Sequence, residues 1–528
     1  MGKKKKTKIE GDEVVSYIMK VIITIYAYIL VVSTGLFYHD KYFDIGDFKY
    51  EMFFKITIVM LIFAAITGVI LLIMSRKKLS FKQLPDKLST LDLFVIGYAC
   101  LALSSYFLSS YPQDALYGYN GWKMGLISQL MFVAIYFLVS RFWMDSWMPD
   151  FLVMLFGSSA FVFLFAILHR FMIDPLALYE GVDSKYYIEF LTTIGQATWY
   201  SSFLCIVLPI GVVVLWKAEK KWVKICMTIY CFLGFSTLVT QNSDSAFIAL
   251  ATLMFVLFCF SFDSNKDMLR FLLIVILCIG SMRIMGILQL LFPGQAVELD
   301  TISVVCSQNV IMWPVLLIVI LLYFYLRNRE KKQMMDVGKV IWLKRTALIA
   351  LPTGLILIFL LIYLNTNQLL PPALAFLNKI PYLYFDEGWG NTRGGIWMYS
   401  AKMFSEFPLK EKLFGVGPDS FAAYTYEFYK KEAESTWGSI LTNAHCEWFN
   451  LTICTGIFGG IAYLGTFISA AVTFTKNRAR NTMIAAAGLS IFCYIFHNIF
   501  CYQQVICTPI IFLFMGIGSH LCRTKEQA

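Results

Sequence analysis

The sequence predicts an all-α fold, a polytopic bundle of transmembrane helices with one large extracytoplasmic loop. Of the 528 residues, 59% are hydrophobic and 15% are charged, and the mean hydropathy is +0.67; a soluble chain of this length carries more charge. Apolar runs of about 20 residues recur from end to end, and each is long enough to cross about 30 Å of hydrocarbon as a helix. A transmembrane barrel would instead show short alternating segments.

The apolar runs define about fourteen helices, within a range of about twelve to fourteen. The N-terminal region, residues 1–364, holds about eleven of them, residues 365–444 form the large loop, and residues 445–528 hold about three and a cytoplasmic tail. The N-terminus lacks a secretory cleavage pattern, so the first helix is expected to be retained. The expected spans are residues 14–37, 52–74, 90–109, 122–140, 149–168, 193–215, 222–240, 244–260, 268–292, 310–326, 345–364, 446–470, 481–499 and 503–521.

Lys and Arg are distributed unevenly among the connections between these spans. If the segment MGKKKKTK at the N-terminus lies in the cytoplasm, the basic segments at 75–87, 216–224, 327–345 and 475–481 lie there too. Both termini are therefore expected to be cytoplasmic, and the 365–444 loop is expected on the outer face. The net charge of +10 mostly reflects this bias, so no nucleic-acid partner is needed to explain it.

Neither the cysteines nor the acidic residues suggest a metal site or a cofactor. The thirteen cysteines are scattered, mostly inside apolar runs, and form no CxxC pair. In the loop, the nearest approach to a paired-carboxylate motif is FDEGWG, where Asp386 and Glu387 are adjacent and point apart. We therefore expect no metal and no cofactor.

The segment NTRGGIWMYSAKMFSEFPL in the large loop has helical periodicity. We expect an amphipathic helix near residues 393–407, with Asn391 or Thr392 as its cap and Pro408 at its end. This helix either lies on the outer leaflet or covers a cavity. Its apolar side is expected to contain Ile396, Trp397, Ser400, Met403, Phe404 and Phe407.

Arg393 lies in the first turn of this helix, next to two glycines. Uncovered backbone N–H groups, the positive end of the helix dipole and a guanidinium group together suit an oxyanion such as a phosphate. The alternative is an interfacial Arg that meets lipid phosphate, and its position alone does not separate the two.

His445 joins the large loop to the next apolar run, in the segment NAHCEWFNLTICTGIFGG. A His suits proton transfer near neutral pH, so His445 is a candidate general base; the alternative is an interfacial His bonded to water. Glu447, two residues on, points to another helix face and is a weaker candidate. His497 is the rival of His445, whereas His39 and His169 fit rim positions. The small residues Thr455, Gly456, Gly459 and Gly460 are expected to let this helix pack closely on a neighbour.

Six residues are candidates for substrate contacts, and two of them, Trp397 and Glu447, are named above. Arg283 lies inside an apolar run, where a charge is costly and usually faces a polar cavity. Gln196, Trp199 and Tyr200 begin a helix on the outer side, where the two aromatic residues either belong to an interfacial belt or stack on a sugar.

An ordered set of these motifs resembles the O-antigen ligase and O-antigen polymerase superfamily of bacterial membrane glycosyltransferases. The set comprises Arg393 opening a helix with Trp397 and FPL, the turn GVGP at 415–418, and His445 before a helix with TGIFGG. The upstream segment IGQATWYSSFLCIVLPIG is similar as well. The sequence departs from the family at TQNSDSAFIAL, where Asp244 stands in place of an expected Arg, and at His445, which is followed by Cys rather than Asn. Arg283 either supplies the missing cation or pairs with Asp244.

The resemblance implies an integral-membrane enzyme at the outer face of the cytoplasmic membrane. Its donor would be a glycan on polyprenyl diphosphate, and its acceptor a sugar hydroxyl on either lipid A-core or another lipid-linked repeat unit. In the family's usual scheme the His is the general base, arginines bind the diphosphate, and neither a metal nor a nucleotide sugar takes part. The alternatives are a flippase or permease, which would commonly show an internal repeat, and a non-catalytic sensor or scaffold.

Overall fold

The structure, a computed structural model, describes residues 11–74, 88–121 and 123–524. Over these residues it is an all-α bundle, and the predicted fold class is confirmed. The fourteen expected spans each correspond to a long helix. These helices are α1 (Gly11–Leu36), α2 (Ile45–Met74), α3 (Thr90–Leu108), α5 (Leu126–Phe142), α6 (Met148–Arg170), α7 (Ala197–Lys217), α8 (Lys221–Thr240), α9 (Ser245–Ser261), α10 (Asn265–Leu291), α12 (Met312–Lys331), α13 (Ile341–Thr366), α17 (Glu447–Asn477), α18 (Thr482–His497) and α19 (Thr508–Thr524).

Shorter elements lie in the connections. The short helices are α4 (Pro112–Tyr117), α11 (Thr301–Gln308), α14 (Arg393–Glu406), α15 (Leu409–Phe414) and α16 (Phe421–Trp437). Two-residue strands, β1 (Phe190–Leu191) and β2 (Gly195–Gln196), pair antiparallel before α7. The helix expected near 393–407 is thus present as α14, whereas α19 begins at Thr508 rather than 503 because residues 498–507 form a turn.

Ten of the described helices are long and apolar enough to cross a membrane, and α5, α9 and α18 are shorter apolar helices. The protein is therefore a multi-pass membrane protein. The basic segments 1–10 and 75–87, which support the predicted orientation, lie outside the described residues. The orientation of the bundle in the membrane thus stays a prediction.

The long helices alternate in direction between two ends of the bundle. The large connection between α13 and α17 lies at one end, which we call the loop end. At the opposite end, Asp92 near the start of α3 accepts hydrogen bonds from Arg523 near the end of α19 and from Arg141 near the end of α5. The start of α3 and the ends of α5 and α19 therefore lie on the same side of the bundle.

Most long helices share one apolar core, but α12 and α13 lie at its periphery. No residue of α12 is buried, and in α13 only Asn365 is. The amide of Asn365 donates to the carbonyl oxygen of Leu383 at 2.7 Å, which fastens the end of α13 to the large loop. Elsewhere α13 stands apart from the core, so a space remains between α13 and α9.

The large loop has an apolar core of its own, built by α14, α16 and the first turns of α17. The predicted apolar side of α14 packs into it: Ile396, Ser400, Met403 and Phe407 are buried, and Trp397 and Phe404 are partly buried. The loop is thus an ordered cap on the bundle. The apolar side of α14 packs against the core of the loop. Arg393, the first residue of α14, lines a cavity.

The motifs GVGP and TGIFGG pack against each other. Helix α17 is broken at Gly456, whose φ of 73° is left-handed. The carbonyl oxygens of Ile453 and Cys454, which the break leaves unpaired, accept the backbone N–H groups of Val416 and Gly417 at 3.2 and 2.9 Å. A Cβ atom on Gly456 would overlap the backbone of α15, so only glycine allows this contact.

The expected role of the small residues is therefore only partly right. Gly456 permits a close approach, but to α15 and at a break in the helix. Cβ atoms on Gly459 and Gly460 would instead meet the side chains of Thr455 and Thr452 in the same helix. The expectation that these two glycines face a neighbouring helix stays a prediction.

Candidate active site

A cavity of about 1430 Å³ lies at the loop end, between α9, α13, α18 and the large loop. It is amphipathic, and it exceeds the roughly 300–1,000 Å³ of common small-molecule pockets. The part within the bundle is lined by Phe247, Ile248, Ala251, Phe255, Val256, Leu348, Leu351, Pro352, Leu355, Phe492 and Phe496. The part under the loop is lined mainly by Asn242, Asp244, Asp300, Lys379, Tyr382, Tyr384, Asp386, Trp389, Asn391 and Arg393.

Arg393 begins α14 and lines the polar part of this cavity. Its Nε donates to the carbonyl oxygen of Phe500 at 3.2 Å, and its Nη1 donates to that of Gly390 at 2.8 Å. A guanidinium group has five N–H donors, so three remain without a hydrogen bond among the described residues. Two carbonyls therefore orient the group and leave a fork of donors for a ligand.

The backbone at the start of α14 differs from the prediction. The N–H groups of Gly394 and Gly395 are not free: they donate to the carbonyl oxygens of Trp389 and Glu387 at 2.9 and 3.0 Å. Neither expected residue caps the helix by its side chain, since Thr392 is left-handed, with a φ of 68°, and makes no capping bond. The anion-binding capacity at this point thus belongs to the Arg393 side chain and not to the helix start.

Arg393 is also the cation that lowers the pKa of Asp244. Burial raises the pKa of the Asp244 carboxyl, and the charge of Asp300 raises it further, whereas Arg393 acts in the opposite direction. Arg283 is elsewhere: its Nη1 donates to the carbonyl oxygen of Asn309 at 2.8 Å, and its guanidinium lies 4.5 Å from the ring centre of Trp313. Neither role expected for Arg283, replacing the missing cation or pairing with Asp244, fits this position.

His445 lies just before α17, which begins at Glu447. Its φ of 47° is left-handed, a conformation that costs about 1–3 kcal/mol and persists only where the surroundings impose it. The backbone N–H of His445 donates to Oδ1 of Asn443 at 2.8 Å, and that of Ala444 donates to Oδ1 of Asn450 at 3.1 Å. Strained residues of this kind cluster at functional sites.

The imidazole of His445 is half-buried and neutral at pH 7. Burial lowers its pKa, and the nearby charge of Arg393 lowers it further, to about 4. Among the described residues, neither ring nitrogen has a hydrogen-bond partner. The ring packs edge-on against Tyr502, with 5.3 Å between the ring centres. The group can therefore accept a proton, and Arg393 is close enough to influence it.

Tyr502 connects two of the predicted residues to His445. Its hydroxyl accepts a hydrogen bond from Nε1 of Trp199 at 3.2 Å and donates to Oε1 of Gln196 at 3.4 Å. Gln196 and Trp199 thus reach His445 through one tyrosine, although about 250 residues separate them from it in the sequence. The structure places them beside the candidate base.

The other histidines are less suited to act on a substrate. His497 is fully buried, and its ring nitrogens lie 2.6 Å from Oδ1 of Asn498 and 3.3 Å from Oγ of Ser201. His169 is likewise fully buried, and His39 is an exposed loop residue paired with Asp44. The rival to His445 is therefore enclosed by protein.

Like His445, Gln196 and Trp199, the three remaining predicted residues do not line the cavity. Trp397 is partly buried and lies 5.6 Å from the rings of both Trp389 and Phe500, two residues that do line it. Tyr200 and Glu447 are fully buried. The expectation that Tyr200 and Glu447 contact a substrate is not supported by these positions.

The sequence did not single out the turn between α18 and α19. This turn brings the Phe500 carbonyl to Arg393 and the Tyr502 ring to His445. Its segment, FCYQQVICTP, contains two glutamines and a tyrosine in otherwise apolar surroundings, and that polarity was the available signal. The acidic residues Asp300 and Asp386 in the cavity were also missed as site residues.

Asp419 fastens the large loop to the connection between α4 and α5. Its carboxylate accepts the backbone N–H groups of Tyr119 and Met124 at 2.9 and 2.8 Å. Burial nevertheless raises its pKa to about 7. The residue that follows GVGP is thereby bonded to the connection between α4 and α5.

These features define the class of the protein. It is a multi-pass helical membrane protein with an amphipathic cavity at one end, a partly unbonded guanidinium in that cavity, and a neutral histidine close by. Within the described residues, no group of three or more His, Cys, Asp or Glu side chains could hold a metal ion. Independence of metal ions stays a prediction.

A comparison with protein families identifies the class more closely. Residues 296–464 match the O-antigen ligase family, which supports membership of the O-antigen ligase and polymerase superfamily and confirms the resemblance seen in the sequence. The matched segment extends from before α11 to the first half of α17 and includes Arg393, GVGP, His445 and TGIFGG. A search of curated proteins found no match. The family supports a glycosyl-transfer function in the assembly of O-antigen or a related polysaccharide.

Proposed function

We propose that the protein transfers a glycan from a polyprenyl-diphosphate carrier to a hydroxyl of an acceptor sugar. The transfer takes place at the outer face of the cytoplasmic membrane, and it either elongates a lipid-linked glycan or joins the glycan to a different lipid acceptor. It uses no metal ion.

The observation that carries this proposal is the amphipathic cavity. Its apolar part runs along α9 and the exposed helix α13 and matches a polyprenyl chain, which must stay in contact with the hydrocarbon phase. Its polar part, at the loop end, matches a diphosphate and the first sugars. A small soluble substrate would not require an apolar half of this size.

Arg393 and His445 divide the chemistry between them. The N–H donors of Arg393 bind the diphosphate oxygens and stabilise the charge of the departing group. The neutral imidazole of His445 removes the proton from the acceptor hydroxyl, and the oxygen then forms a bond to the anomeric carbon. The bond between that carbon and the diphosphate breaks, and the electron pair leaves with the polyprenyl diphosphate.

Arg393 also affects the strength of this base. Burial and the guanidinium keep the pKa of His445 near 4. A bound diphosphate would offset the positive charge and so remove the second of these causes. Binding of the donor therefore makes His445 a stronger base.

The proposal is tested by transfer from a lipid-diphosphate glycan with detergent-purified protein and matched amounts of each variant. Arg393→Lys keeps the charge but loses the bidentate fork, so we expect a loss of at least about tenfold, and a larger loss for Arg393→Ala. The control is Lys402→Ala, which removes an exposed cation from the same helix, paired with Glu432 at 3.0 Å. Full activity is expected for this control.

Two results would contradict the proposal. Wild-type activity in Arg393→Ala would reduce that residue to a contact with lipid. Loss of wild-type activity in excess EDTA, restored by added Mg²⁺ or Mn²⁺, would refute the metal-free scheme. Transport of a labelled lipid-linked glycan across vesicles without any transfer would instead support the alternative of a flippase.

A further inference from the structure

Glu447 is a fully buried acidic residue at the loop end to which the proposed reaction gives no role. Its carboxylate accepts hydrogen bonds from the hydroxyls of Tyr463 at 2.5 Å and Tyr494 at 2.9 Å, and from the amide of Asn498. All three neighbours act as donors, so the carboxylate functions purely as an acceptor. Replacing one of its oxygens with an N–H group would set donor against donor.

These bonds fasten both ends of the turn that follows α18. The backbone N–H of Glu447 donates to the carbonyl oxygen of Asn498 at 3.0 Å, while the Asn498 side chain bonds to the Glu447 carboxylate. Further along the turn, Nε2 of Gln503 donates to the Tyr463 hydroxyl at 2.8 Å. The turn is thus bonded to the Glu447 carboxylate directly at Asn498 and through the Tyr463 hydroxyl at Gln503.

The residues between these two points carry both contacts of the candidate site. The Phe500 carbonyl orients Arg393 through Nε, and the Tyr502 ring packs against His445. The position of Arg393 relative to His445 therefore depends on the shape of this turn.

We propose, on the basis of the proposed function, that Glu447 is a positioning residue. By holding the 498–503 turn, Glu447 sets where the Arg393 guanidinium stands relative to the His445 imidazole. Its role is geometric. The two causes that lower the pKa of His445 are burial and Arg393, so Glu447 acts by keeping Arg393 in place and not by its own charge.

The test measures the ionisation of His445 directly and needs no substrate. Diethyl pyrocarbonate modifies neutral imidazole, and mass spectrometry of the peptide around residue 445 gives the rate at each pH. At each pH, the exposed residue His39, compared between wild type and variant, reports whether the two samples received the same amount of reagent. In the wild type we expect the rate at His445 to fall with a midpoint near pH 4. In Glu447→Gln, the Phe500 carbonyl no longer holds Nε of Arg393 in place, and the midpoint should rise by about one pH unit or more.

The matched control is Asp92→Asn. Asp92 is also fully buried and accepts bonds from Tyr136 and two arginines, but it lies at the opposite end of the bundle. It should lose stability without any change in the profile of His445. A general loosening of the bundle would shift both variants alike and would overturn the proposal.

A second variant covers the case in which Glu447→Gln does not fold. Asn498→Ala removes the link to the turn while the two tyrosines still bond to the carboxylate, and it should give the same shift. A folded variant of either residue with the wild-type profile would refute the positioning role. Because the profile is measured without transfer, a shift in the variant together with a wild-type protein that shows no transfer would refute the proposed function and leave the positioning role standing.

Discussion

Removing the imidazole of His445 should abolish most of the transfer activity while leaving the fold intact. Loss of a general base costs about 10²–10⁴-fold in rate, which is about 2.7–5.4 kcal/mol of transition-state stabilisation. The side chain is only half-buried, and its ring nitrogens make no hydrogen bond among the described residues, so little folding energy is lost with it.

The backbone of His445 decides which substitution is cleanest. At a φ of 47°, Gly and Asn are tolerated better than other residues. His445→Gly should therefore relieve about 1–2 kcal/mol of strain, and the purified variant should unfold at the wild-type temperature or slightly above it. His445→Asn keeps a polar side chain but cannot take up the proton. We expect both to lose about 10²–10⁴-fold in rate, as well as His445→Gln.

The assay is in vitro transfer from a lipid-diphosphate glycan, with thermal unfolding of each variant measured in the same detergent. The dependence on pH adds a second readout. For wild-type protein, the acidic limb of kcat/KM, which reports the free enzyme, should lie near pH 4. The acidic limb of kcat should lie at higher pH, because the bound diphosphate offsets the charge of Arg393.

Two outcomes would refute this reasoning. A tenfold loss of rate corresponds to roughly 1.4 kcal/mol. If His445→Gly keeps more than about a third of the wild-type rate, its effect is smaller than that, so the residue is not the base and His497 becomes the candidate. If the acidic limb of kcat/KM persists unchanged in His445→Gly, another group sets it.

Three further predictions address topology, the broken helix and the cap. A single cysteine at Ser435 in a cysteine-free variant should react with an impermeant maleimide in intact cells, and one at Gln333 should not; the reverse would place the loop end in the cytoplasm. Gly456→Ala should lower the unfolding temperature and the yield, because the added Cβ atom overlaps the backbone of α15 and a left-handed φ is strained for Ala. Asp419→Asn should stabilise the protein at pH 8, with a benefit that shrinks toward pH 5. The raised pKa of Asp419 means that the folded state binds more protons than the unfolded state between about pH 4 and pH 7. Wild-type stability therefore falls as pH rises through that window. An equal effect of Asp419→Asn on stability at pH 8 and pH 5 would contradict this.

The positions of the helices could be predicted because hydropathy is a local property. A run of apolar residues must bury its backbone polar groups within itself to cross a membrane, so composition alone places every span, with helix ends that differ by at most seven residues from those observed. The same reasoning found α14, whose periodicity is local too. It missed the break at Gly456, because a lone glycine in an apolar run also fits an unbroken helix.

The candidate site was predictable residue by residue, but its assembly was not. Arg393, His445, Gln196 and Trp199 each had a local signal, namely a charge, a histidine or an aromatic residue at the end of an apolar run. What brings them together is the turn after α18, whose contribution to Arg393 is a backbone carbonyl 107 residues away in the chain. A carbonyl group is present in every residue and leaves no mark in the sequence.

The same limit explains why the start of α14 was misjudged. Two adjacent glycines in a first turn are equally compatible with free N–H groups and with a close approach of other backbone. The structure shows the second: a Cβ atom on Gly394 would overlap the carbonyl oxygen of Asp386, and the N–H groups of both glycines are already bonded. The loop backbone folds onto the helix start, and the positive charge that remains for a ligand is therefore the movable guanidinium of Arg393. A site built on a side chain, unlike one built on helix N–H groups, depends on what orients that side chain. The Phe500 carbonyl orients Arg393, and we propose that the buried Glu447 holds the turn that carries this carbonyl.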